Sequence, residues 1–144
     1  MLTDIERNNK TAMTAHIIDA GVIVLFIVLQ ASGGLRTGTY ALITAVLGFA
    51  PIAAEIFFWK KDKATPMIKH LVAIGFAIFY TFILFTAIHG MVFVFVIPMV
   101  LVISVYNDIR YSLMINTGTI LESLIVAVAG AQTVNSAIWA VIPR

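Results

Sequence analysis

The sequence predicts an all-α fold, a polytopic transmembrane helical bundle of about five membrane helices. The stretch 70–107 contains no Asp, Glu, Lys or Arg. As one helix it would be about 60 Å long, roughly twice the hydrocarbon thickness of a bilayer, so it must fold back on itself. Over all 144 residues, 61% are hydrophobic and only 11% charged, well outside the soluble range. Helices of this composition are apolar on most sides and need no water-soluble core. The net charge of +2 does not indicate nucleic acid, because the basic residues stand at the ends of apolar spans rather than in one patch. Without cysteine there is no disulfide framework, thiol nucleophile or Cys-based metal site.

Residues 1–12 read as a polar lead, and Thr3 with Glu6 has capping-box spacing. The lead does not resemble a cleaved signal, and no lipidation motif is visible. The first span covers about 13–31. Its fully apolar part, 20–29, is too short to cross alone, so the crossing includes His16 and Asp19. SGGLRTG at 32–38 is a turn. The second span, about 39–59, contains Pro51, which membrane helices tolerate, usually with a kink. It ends in Phe57, Phe58 and Trp59 followed by Lys60 and Lys61, aromatics and cations suited to a water interface.

The connection KKDKATPMIK leads into the third span, about 67–88, which Thr65-Pro66 can start. His89-Gly90 supplies a tight turn. The fourth span, about 91–106, is rich in β-branched residues, but an unpaired strand cannot satisfy its backbone in lipid, so it is helical and bent or interrupted at Pro98. Residues 107–111 form a charged turn. The fifth span covers about 112–131, and 132–144 are a tail or the start of a loop to a further span. With five spans, one side carries Arg7, Lys10, Lys60, Lys61, Lys63, Lys69 and Arg110, the other Arg36 and Arg144. The cation-rich side is expected in the cytoplasm of a cell inner membrane, which puts the N-terminus inside and the C-terminus outside.

Glu122 is the most informative polar residue, standing alone among charges between Arg110 and Arg144. It lies about 18 Å along its helix from Arg110, near the bilayer midplane, where ionisable groups usually face a partner or cavity. It is expected to be a ligand contact or switch, or else a protonated acid bonded to a neighbouring helix; Asn116 is expected on a similar face. His16 and Asp19, three apart, can pair on one helix face, with a structural or interfacial role favoured over a ligand or switch role. Glu55, about a turn from Lys60, reads as an interfacial acid paired with a lysine. His70, His89 and His16 lack metal-ligand spacing, so no metal or cofactor is expected. His89 reads as a turn residue more readily than as a sensor of external pH. The aromatics from Phe76 to Phe95 can line an apolar pocket or simply pack. No paired catalytic carboxylates, nucleophile elbow or phosphate loop is present, and nothing supports an enzyme.

Taken together, Lys60-Lys61 to Lys69, Ala87 to Gly90, and FVFVIPMVLVISVYND at 93–108 carry a resemblance, with Phe95, Pro98 and Tyr106 as anchors. The pattern resembles the N-terminal membrane region of multi-pass signalling receptors of clostridia and related Firmicutes, including methyl-accepting chemotaxis proteins and some diguanylate cyclases. The resemblance implies a membrane-embedded input domain, a homodimer or other membrane-protein partner, and a small-molecule ligand of unknown identity. Such receptors continue through another crossing into a cytoplasmic coiled coil or catalytic domain, so a fragment is expected. A small transporter or channel subunit, with Glu122, Asn116, Asp19 and Gln132 along a polar path, or an accessory assembly protein, is the alternative expectation.

Overall fold

The computed structural model describes residues 3–86, 94 and 96–141, and of these the side chains at 96 and 130–141 are outside the description. Within that range the chain is helical and has no strand. The helices are α1 (Asp4–Ser32), α2 (Gly38–Lys61), α3 (Met67–Thr86), α4 (Val96–Ser104) and α5 (Ile109–Val141). Four of them, α1, α2, α3 and α5, are long and apolar enough to cross a membrane. The fourth span predicted at 91–106 falls partly outside the described residues. Its described helix has nine residues, about 14 Å of rise and less than half a hydrocarbon core.

The polar lead is not a separate segment. The Thr3 side chain accepts from the Glu6 N–H at 3.3 Å while Glu6 Oε2 accepts from the Thr3 N–H at 2.7 Å. This reciprocal capping box satisfies two amides that would otherwise lack partners, so the helix starts at once and runs unbroken into the apolar span. At the far end of the chain the backbone also stays helical beyond the predicted limit of 131, through Val141.

Buried positions follow helical spacing. In α1 they are Asn9, Ala12, Met13, His16, Ala20, Ile23, Val24 and Ile27. In α2 the seam is Ala41, Thr44, Gly48, Ile52 and Glu55. These two seams meet a broad face of α3 that includes Ile68, Val72, Phe76, Phe79 and Ile83. Close approach is achieved by small residues: a Cβ on Gly48 would stand 3.1 Å from the Phe79 ring, and one on Gly75 only 2.3 Å from Pro51 Cβ. The outside is apolar too, with Leu25, Leu42, Phe57, Ile74, Leu101 and Ile120 all exposed. A surface of this kind matches lipid and is a liability in water.

α2 runs through Pro51 without a break, and Pro98 sits in the first turn of α4, where a missing N–H interrupts no helical bond. The predicted turn at His89-Gly90, together with Phe93, Phe95, the side chain of Gln132 and Arg144, lies outside the described residues.

Candidate functional site

Two ionisable side chains meet in the interior. His16 Nδ1 lies 2.7 Å from Glu55 Oε1, and both side chains are 0% exposed. They sit on the two helix seams, so the packing of α1 against α2 drives them together. The Nδ1–Oε1 contact requires one proton between the two atoms, whichever carries it. His16 Nε2 and Glu55 Oε2 are buried with no hydrogen-bond partner. The Phe76 ring meets the imidazole edge-on, with centroids 6.0 Å apart. Asp19 is half-buried on the next turn, with Oδ2 enclosed and unpartnered.

This corrects the expectation that Glu55 pairs with a lysine: it is fully buried and its partner is His16. Its seam partners Ala41, Thr44, Gly48 and Ile52 recur every three to four residues, and that spacing was the available signal. The residue type suggested an interface, but the helix phase decided burial. The expected His16–Asp19 pair gives way to His16–Glu55, because a neighbouring helix offers the more enclosed partner.

A polar layer closes one end of the bundle. Asn9 is fully buried, and its amide donates to the carbonyls of Lys63 and Thr65 at 3.0 Å each. The Tyr106 hydroxyl donates to Asn9 Oδ1, also at 3.0 Å. Lys69 Nζ reaches Asp108 Oδ2 at 3.0 Å, and His70 Nδ1 lies 3.2 Å from the Tyr111 hydroxyl. The start of α1, the α2–α3 connection and the α4–α5 connection therefore share one end. At the other end, Arg36 donates to the Thr86 carbonyl and stacks its guanidinium 4.2 Å from the Tyr40 ring centroid. The cations assigned to one side by sequence, as far as they are described, thus belong to segments at one end, and Arg36 is at the other.

Asp108 is held below the usual carboxylate range, first by the Lys69 hydrogen bond and then by the Tyr111 amide. A lowered folded pKa adds stability that is fully present above the unfolded value of about 3.9 and is lost as pH falls through the folded value. The protection of amides at the start of α5, taken relative to the intrinsic exchange rate at each pH, should therefore fall below about pH 4. Lys69→Met should reduce that dependence, and high salt should weaken it because the pair is partly exposed. An acid-insensitive α5 start in the parent protein would refute the linkage.

α5 packs differently from the core. None of its residues from 109 to 129 is buried. Glu122 Oε1 accepts a hydrogen bond from the Thr81 hydroxyl at 2.9 Å, and the Tyr80 and Ser123 hydroxyls lie 3.2 Å apart. Between α3, α4 and α5 lies a cavity of about 120 Å³ whose walls include Phe76, Tyr80, Met99, Met114, Gly118 and Glu122. Asn116 does not line it. That residue faces an adjoining open groove, which shares Val100 and Thr119 with the cavity and adds Ser123, because six helical residues advance about 240° around the axis. Its Oδ1 is buried and unpartnered. Asp19 lines neither space. Glu122 and Asn116 are thus near neighbours on α5 facing different spaces, while His16 pairs with Glu55 in the core and Asp19 stands half-buried a turn away. Among the described residues no group of three His, Cys, Asp or Glu side chains is arranged to hold a metal. Comparison of the chain with family models, curated proteins and solved structures gives no match.

Proposed function

We propose that this chain is the membrane-embedded sensory input domain of a bacterial signal-transduction receptor, acting as a homodimer in the inner membrane. The chain crosses five times, with the end bearing Arg7, Lys10, Lys60, Lys61, Lys63, Lys69 and Arg110 in the cytoplasm. The observation that carries this reading is the unequal packing of the helices. α1, α2 and α3 share an interlocked core with a buried polar pair. α5 packs Tyr111, Ile115 and Val126 against the edge of this core but has no buried residue from 109 to 129, and is joined to α3 through Thr81–Glu122, Tyr80–Ser123 and, at its start, His70–Tyr111. A helix that packs only its partly buried side chains along the edge of a core can take two positions of similar energy. A signal that binds those positions unequally shifts their populations and moves α5.

The test is a chimera in which residue 144 is joined, through one added apolar helix, to the kinase-control module of a chemotaxis receptor. It is expressed in cells lacking their own receptors. Removing the α3–α5 hydrogen bonds at Glu122 and Ser123 with Thr81→Val and Tyr80→Phe, which leaves the His70–Tyr111 contact in place, should shift the resting swimming bias at unchanged membrane levels. Output indifferent to these changes would count against a sensory role.

A further inference from the structure

We infer that the cavity between α3, α4 and α5 is a binding site for a small apolar amine, its ammonium group directed at Glu122. The cavity's size sets the first limit. At about 120 Å³ it is slightly smaller than the dry, apolar cavity of about 150 Å³ that admits benzene. It therefore suits a body of roughly six non-hydrogen atoms. Gly118 on α5 helps make the space, for a Cβ there would meet nothing within 4 Å.

The wall chemistry sets the second limit. Phe76 and Tyr80 present nearly parallel rings, 6.1 Å between centroids and 11° between planes, and Met99 and Met114 add adaptable sulfur-bearing surface. Aromatic faces attract a cation. Glu122 supplies a carboxylate on the same wall. Among the described residues no Lys, Arg or His forms an ion pair with it, although a carboxylate at membrane depth strongly favours a counter-charge. An ammonium satisfies the charge and donates hydrogen bonds. An alcohol donates without neutralising the charge, and a hydrocarbon does neither. The occupant that answers volume, rings and carboxylate together is an amine on a compact apolar body. Its effect on signalling rests on the sensory reading above, since it would touch both α3 and α5; its binding does not.

The test uses the purified full chain in nanodiscs, with empty nanodiscs as the partition control. Cyclopentylamine is titrated against cyclopentanol, which has the same number of non-hydrogen atoms but no charge, with saturation-transfer NMR as the readout. The amine should bind saturably and roughly tenfold more tightly than the alcohol, the margin of a charge-assisted over a neutral hydrogen bond. Glu122→Gln should erase that preference. Gly118→Leu should abolish binding of both, and the smaller Gly118→Ala, whose new methyl enters open space, should weaken it if the larger change perturbs folding. Equal binding of amine and alcohol, binding unchanged in Gly118→Leu, or no saturable signal above empty nanodiscs would overturn the inference. Amine binding without an output change in the chimera would leave the site standing and count against the sensory role. An output change in the Thr81→Val, Tyr80→Phe chimera without amine binding would do the reverse.

Discussion

Glu55→Ala is expected to destabilise the bundle by about 3–5 kcal/mol, the usual cost of removing one member of a buried hydrogen-bonded pair. The substitution strands His16 Nδ1 in a site where the imidazole is 0% exposed and Nε2 already has no partner. It also opens a void between α1 and α2. His16→Ala should cost a similar amount by stranding the carboxylate instead. The paired replacement His16→Leu with Glu55→Leu should return to within about 1–2 kcal/mol of the parent, because an apolar pair needs no proton and no desolvated charge. Unfolding by SDS titration in mixed micelles would measure all three. Single substitutions costing less than about 1 kcal/mol would mean that the pair is not desolvated as the geometry requires.

Gly75→Ala should cost about 2–3 kcal/mol or prevent stable folding, because the added methyl overlaps a well-packed neighbour. Its Cβ would stand 2.3 Å from Pro51 Cβ and 2.8 Å from Pro51 Cγ, with His16 Cε1 at 3.5 Å. Neither proline atom is the end of a flexible side chain, so α3 must move away from α2, and the His16 site moves with it. Pro51→Ala leaves the offending Cβ and should not rescue the variant. Pro51→Gly removes it and should recover part of the loss, giving a clear coupling between the two sites in a double-mutant cycle. Gly21→Ala is the matched control: a Cβ there meets nothing within 4 Å, so this change should be neutral or mildly stabilising. Equal effects at Gly75 and Gly21 would remove the case for close α2–α3 contact.

These sites also mark the boundary between what is legible in the sequence and what is not. Composition and the long uncharged stretch determine an all-helical, apolar protein, because in lipid the chain must satisfy its own backbone. A local signal determines one end, where Thr3 with Glu6 starts α1, whereas the cap of α2 by Thr37, its side chain accepting from the Tyr40 N–H, is seen only in the structure. The grouping of cations already divides the connections between two ends, since an antiparallel succession of helices alternates them. Glu122 stands out from its isolation alone, since a lone acid deep in an apolar span calls for a partner.

Only the tertiary structure decided which partners those side chains have. Glu55 lies close to a lysine cluster in sequence, yet helix phase turns it inward to His16, 39 residues away. Asn9, in what reads as a solvated lead, is buried by carbonyls from the α2–α3 connection and by Tyr106. The Gly75–Pro51 contact and the cavity beside Glu122 depend on how closely neighbouring helices approach. The physical reason is common to all four. Secondary structure in lipid follows from local backbone demands and composition, whereas pairing depends on rotation and spacing between helices. Those are set by side-chain shapes far apart in the chain, on helices whose outer and inner faces are almost equally apolar.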